Sequence, residues 1–181
     1  MDEKRAVKIS KYLSLHLRHR PDALGLTLAP GGWVAVDDLL AALERKHLAV
    51  SREALDYVVA YNDKQHFSFD ETGTRIRANQ GHSVEVDLQL DPAEPPALLS
   101  HGTGEKSVDA ILTGGLKKMA RHHVHLSRDI ATAEKVGARH GTPVIFIVAA
   151  GRMHAAGHEF FVSDNGVWLT DHVPVEFLQR A

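Results

Sequence analysis
Apolar residues recur at three- and four-residue spacing near the start of the chain. Ile9, Tyr12, Leu13, His16 and Leu17 form one stripe, which predicts a helix over residues 3 to 19. On a helical wheel Arg18 falls opposite that stripe and His19 falls at its edge, beside Tyr12. Pro21 disfavours helix at the residue before it, so the segment ends on Arg18-His19-Arg20. GLTLAPGGWVAV reads as two short strands about a Pro-Gly-Gly turn. Asp37 is expected to cap a helix carrying Leu39, Leu40 and Leu43. Ser51 is expected to cap another, with Leu55, Val58, Val59 and Asn62 following. FSFDETGTRIRAN predicts a hairpin that turns at Thr72-Gly73.

Helix, helix, helix and hairpin suggest a winged-helix lobe over residues 1–90. The pattern then breaks at DLQLDPAEPPALL, where Pro92, Pro95 and Pro96 predict a stiff extended linker over residues 91–97. Residues 98–181 resume with strand (Leu98–His101), helix (Glu105–Leu112), strand (His122–Ser127) and helix (Ile130–His140). A strand (Val144–Ala149), a short helix near Met153 and strands around Phe160–Ser163 and Gly166–Thr170 complete an α+β chain.

Composition narrows the chemistry. The 181 residues are 44% hydrophobic and 24% charged, enough to bury a core, and no 20-residue apolar run predicts a membrane span. The absence of Cys removes disulfides, thiolate metal sites and a Cys nucleophile. MDEKRAVKIS lacks a signal peptide's apolar core, so a cytoplasmic protein is expected; a monomer is expected as well. Net charge is −2, and Lys+Arg against Asp+Glu is 12 to 13 in the first ninety residues and 9 to 10 in the rest. That balance argues against bulk coating of nucleic acid, which needs many phosphate contacts, and confines any polyanion site to a local cluster.

HGTGEKS (His101–Ser107) superficially resembles a phosphate loop, but it lacks the Gly-x4-Gly-Lys-Ser/Thr spacing. In MARHHVHLS, strand alternation would put Arg121, His123, His125 and Ser127 on one face and His122, Val124 and Leu126 on the other. The first set is a poor core face, since buried unpaired polar groups are costly. It could be half a zinc site completed by His101, the lining of a polar pocket, or a solvated face. No matching carboxylate or second His pair favours zinc. Arg75 and Arg77 share a hairpin face, ordinarily a solvated one. With Arg18 and Arg121 near other element ends, four guanidinium groups are available for bidentate phosphate binding.

LSLHLRHRP (Leu13–Pro21), RANQGHS (Arg77–Ser83), HGT (His101–Thr103) and GLKKMARHHVHLS (Gly115–Ser127) occur in one order. Together they closely resemble the tRNA 2′-phosphotransferase family, the NAD-dependent RNA phosphotransferases, over almost the whole chain. The resemblance implies a winged-helix N-terminal lobe and a C-terminal lobe of ADP-ribosyltransferase fold. It implies transfer of an internal RNA 2′-phosphate to NAD through a 2′-phospho-ADP-ribosylated RNA. The products would be 2′-hydroxyl RNA, nicotinamide and ADP-ribose 1″,2″-cyclic phosphate, with no metal and with tRNA splicing as the setting. The family's catalytic tetrad falls on Arg18, His19, Arg77 and Arg121, and a further phosphate-binding position falls on Arg75. His101, Gly102, Thr103, His123, His125 and Ser127 fall on the NAD side.

One departure separates this chain from polymer-forming ADP-ribosyltransferases. Where those carry a glutamate beside the nicotinamide ribose, SDNGVWLT offers Gly166 and Val167, which fits the phosphotransferase branch. An ADP-ribosyltransferase acting on nucleic acid or protein would leave the N-terminal arginines without a task. A non-enzymatic winged-helix binder would leave HGT and Arg-x-His-x-His without one.

Overall fold
A computed structural model describes residues 1–181. It divides into two compact units, Met1–Gln89 and Leu90–Ala181. The chain is α+β, and every paired strand is antiparallel.

The first unit opens with helix α1 (Glu3–Arg18), capped by the Asp2 carboxylate on the Lys4 and Arg5 amides. Its apolar stripe is buried as the spacing predicts, with Ile9, Leu13 and Leu17 fully covered. A 3-10 turn follows at Pro21–Leu24, then strand β1 (Val34–Ala35) and helix α2 (Val36–Arg45). Helix α3 (Arg52–Ala60) begins at Ser51, whose side chain accepts from the Ala54 amide. Strands β2 (Phe67–Phe69) and β3 (Arg75–Ala78) form the hairpin, and β1 adds on the far side of β3. Leu39, Leu43, Leu55 and Ile76 pack with the α1 stripe in one core.

Asp37 does not cap α2 as expected. Ala35 holds the cap position without a side-chain bond, and Asp37 lies in the first turn, where a carboxylate favours the helix dipole. The cause is tertiary. The Val36 amide donates to the Thr74 carbonyl at 2.9 Å, so the β1–β3 pairing runs straight into the helix.

The second unit contains strand β4 (Leu99–Gly104), helix α4 (Val108–Gly114), β5 (Leu116–Lys117), β6 (Val124–Leu126) and helix α5 (Ile130–Gly137). It continues with β7 (Pro143–Val148), helix α6 (Ala150–Ala155), β8 (Phe160–Val162), β9 (Trp168–Thr170), β10 (His172–Val173) and β11 (Leu178–Arg180). Three sheets result, in the orders β11-β7-β4, β6-β9-β8 and β10-β5. The first two are joined where the Ser100 and Ser127 backbones exchange hydrogen bonds at 2.8 Å. Phe146, Phe160, Leu99 and Met153 centre the core. The helix expected over Glu105–Leu112 begins as a 3-10 turn at Glu105–Ser107 and continues as α4. The Pro-rich stretch is tied to this unit: Pro92 bridges Phe161, and the Ala93 amide donates to the Phe160 carbonyl. No helix is long and apolar enough to cross a membrane.

Candidate active site
In the first unit the cations gather around the loop after β3. Arg18 closes α1, leaving a carbonyl at the helix end, and the Ser83 amide donates to it at 2.9 Å. The Ser83 hydroxyl meets His19 Nδ1 at 2.8 Å. One serine of RANQGHS therefore fixes both the helix end and the imidazole beyond it. Gly81 brings the loop against the Arg18 side chain with φ at +86°, backbone that other residues rarely adopt.

Arg77 is held by a second glycine loop. Its Nη1 donates to the Gly31 carbonyl at 3.2 Å, and its guanidinium lies 4.4 Å from the centre of the Trp33 ring. Arg75 approaches the same ring at 5.3 Å, while its Nε donates to Asp70 at 2.9 Å. That bond, foremost among several, pulls the Asp70 carboxyl down to about 2. The Gly31 amide in turn donates to the Asp87 carbonyl. Arg18, His19 and Arg77 are thus knitted into one layer by the loops at Gly31–Trp33 and Gly81–Asp87. His66 borders it: burial and then the Arg18 charge push its imidazole down to about 4.

In the second unit the polar side chains are wired through His125. Arg121 is exposed and lies in a turn, its amide donating to the Lys118 carbonyl, because β6 begins only at Val124. Strand alternation thus holds from Val124 to Ser127 but does not reach His123 or Arg121. The arginine still contacts the set, with Nη1 donating to His125 Nδ1 at 3.2 Å. Since Arg can only donate, His125 Nδ1 is an acceptor and its ring is the Nε2–H tautomer. The His125 carbonyl accepts from His101 Nδ1–H at 3.0 Å, which fixes His101 as the opposite tautomer. Burial lowers the His101 pKa, against the raising effect of that bond, and the nearby His140 charge lowers it further. Burial also leads in lowering His123, whose ring tilts onto Phe161 at 5.5 Å. This face presents neutral imidazoles.

Thr103 is buried on β4, and Ser127 is half-buried beside Ser100. Gly102 answers to packing, since a Cβ there would collide with the Ala133 carbonyl of α5. Gly166 and Val167 close the tight turn between β8 and β9, and no carboxylate occupies the Val167 position. No three His, Asp or Glu side chains group so as to hold a metal ion, so His101, His123 and His125 do not form a zinc set. Sequence reading missed Trp33, His66, Asp70 and Ser83. Only Ser83 carried a local signal, as the last residue of RANQGHS.

The profile of the RNA 2′-phosphotransferase, Tpt1 / KptA family matches residues 4–172. The chain belongs to this family. A probable RNA 2′-phosphotransferase of Nostoc punctiforme is 63% identical over 180 residues, 99% of each chain. That of Trichormus variabilis is 66% identical over 178 residues, and that of Streptomyces griseus 60% over 185, each covering 98% of both chains. Every motif of the phosphotransferase resemblance falls within the aligned lengths.

Proposed function
We propose that this chain transfers the internal 2′-phosphate of an RNA to NAD, leaving 2′-hydroxyl RNA, nicotinamide and ADP-ribose 1″,2″-cyclic phosphate. The first unit acts as a winged-helix lobe that takes the RNA phosphate. The second acts as an ADP-ribosyltransferase-like lobe that takes NAD. Family membership supports the reaction class. The observation that carries the reading is the shared layer of Arg18, His19 and Arg77, each fixed by the loops at Gly31–Trp33 and Gly81–Asp87.

NAD supplies an anomeric carbon with nicotinamide as its leaving group. The His101 face fits such a molecule, since a half-buried neutral imidazole with Nδ1 engaged offers Nε2 as an acceptor for a hydroxyl or amide. The RNA phosphate is already a nucleophile, so positioning dominates. Arg18 and Arg77 hold its oxygens through planar N–H pairs, and His19 binds beside them, oriented by Ser83. Arg75 uses only Nε on Asp70, which leaves its outer nitrogens for the same anion. The 2″-hydroxyl of the attached ADP-ribose then attacks the phosphorus and expels the RNA 2′-oxygen, which takes up the proton that the hydroxyl gives up; negative charge grows on the phosphoryl oxygens, and Arg121 stabilises it.

The test is an oligonucleotide with one internal 2′-phosphate, incubated with NAD in excess EDTA beside its 2′-hydroxyl counterpart. Nicotinamide release and loss of the phosphate should occur together, only with the phosphorylated RNA, and persist in EDTA. ADP-ribose retained as the final product would favour an ADP-ribosyltransferase, and no nicotinamide release would favour a binder. Loss of turnover restored by a divalent ion would overturn the metal-free reading.

A further inference from the structure
The side of α1 facing away from the core carries Lys4, Lys8 and Lys11, all exposed. Positions 4, 11 and 18 are seven apart, and an α-helix drifts only about 20° per seven residues, so Lys4, Lys11 and Arg18 form one row. Leu15 (46% exposed) stands between Lys11 and Arg18, and Val7 (45%) flanks the row. With Tyr12, these residues line a shallow groove of about 510 Å³.

Two features set this face apart from an ordinary solvated one. No carboxylate lies three or four positions from any of the three lysines, and none of them is ion-paired. The lysines sit at i,i+4 and i,i+3 from each other, an arrangement that destabilises a helix. The apolar residues also leave the lysines as a rim about Val7, Tyr12 and Leu15. Basic residues along a groove with an apolar and aromatic floor suit single-stranded nucleic acid, whose phosphates meet the rim and whose bases meet the floor.

We infer that this face is an RNA track: Lys4, Lys8 and Lys11 bind backbone phosphates of the strand flanking the 2′-phosphate held at Arg18. The inference rests on the proposed function for its end point. At about 1.5 Å rise per residue the row spans about 20 Å from Lys4 to Arg18, beyond the reach of a dinucleotide.

The experiment compares the wild type with the triple variant K4A/K8A/K11A, which retains good helix formers. Fluorescence anisotropy measures binding of a 2′-phosphorylated single-stranded RNA of about a dozen nucleotides across a salt series, at roughly 0.7 of log–log slope per phosphate contact. The triple variant should bind at least tenfold more weakly at low salt, with the slope reduced by about 2. Turnover of a 2′-phosphorylated dinucleotide should be unchanged. Wild-type affinity and slope for the long RNA would overturn the track, as would equal losses on long and short substrates. Lysine-dependent sedimentation with anionic phospholipid vesicles, with RNA affinity unaltered, would assign the face to a membrane surface and also overturn it. Failure of the phosphotransferase reading is separable, because it appears as absent turnover in the wild type whatever the RNA affinity.

Discussion
The two units handle polar side chains in opposite ways. In the first, guanidinium groups are braced by fixed neighbours: the Gly31 carbonyl and the Trp33 ring for Arg77, the Asp70 carboxylate for Arg75, and the Gly81–Ser83 loop for Arg18. In the second, burial lowers the pKa of His101 and His123, hydrogen bonds fix the tautomers of His101 and His125, and Arg121 is the cation that touches His125. A braced cation layer suits a dianionic phosphate. A neutral layer with one lone pair presented suits ribose hydroxyls or an amide. The difference teaches where charge matters: removing charge geometry should damage the first unit most, and disturbing packing should damage the second.

The largest effect is expected at the end of α1. Arg18→Lys keeps the charge but loses the planar fork, and kcat/KM should fall about a hundredfold or more. Arg20→Lys, at an exposed position two residues on, should stay near wild type. Equal activities in steady-state kinetics, with both variants folded by circular dichroism, would reduce the cluster to a helix-end cap. Next, Arg121→Ala removes the donor on His125 and the cation of the neutral side. It should slow departure of the RNA 2′-oxygen about a hundredfold and leave the earlier step nearly intact. Gel analysis should show RNA carrying ADP-ribose on its 2′-phosphate building up. Unconsumed substrate with no such species would move Arg121 to the first step.

Gly102→Ala sharpens the contrast in another currency. Because α5 leaves no room for a Cβ, overpacking should cost on the order of 1–3 kcal/mol of stability in urea unfolding. A fully stable variant that binds NAD poorly would instead return Gly102 to ligand contact. The smallest effect is on pH dependence. The unfolded chain protonates His66 near 6.5, whereas the folded chain resists until about 4, so stability falls as pH drops through that window. Asp70 adds a second loss between about 3.8 and 2, since the unfolded carboxyl takes its proton first. His66→Gln should flatten the upper window and Asp70→Asn the lower one in thermal melts against pH.

Much of this layout was legible in the sequence wherever a local rule governed it. The α1 stripe, the Ser51 cap, the Thr72-Gly73 turn and the Val124/Leu126 alternation each follow from spacing within one element. What the sequence hid was decided across elements. Asp37 looked like a cap because the chemistry was right, but pairing with Thr74 starts the helix earlier. Arg121 looked like a strand residue because alternation was extended three positions ahead of Val124, where the ladder to β9 begins. Strands β5 and β10 are two residues long, too short for period-two patterning to register. Trp33 serves two arginines more than forty positions away, a relation no local window contains. The glycine of the HGT motif also meets a packing demand that no local window contains, the close approach of helix α5.

The central claim is that the RNA's own 2′-phosphorus moves onto NAD. Placing a ³²P label at that position and following it through one turnover with unlabelled NAD tests this most directly. The label should leave the RNA and appear in ADP-ribose 1″,2″-cyclic phosphate in proportion to nicotinamide released. Label recovered as inorganic phosphate, or retained in the RNA at the end of the reaction, would contradict it.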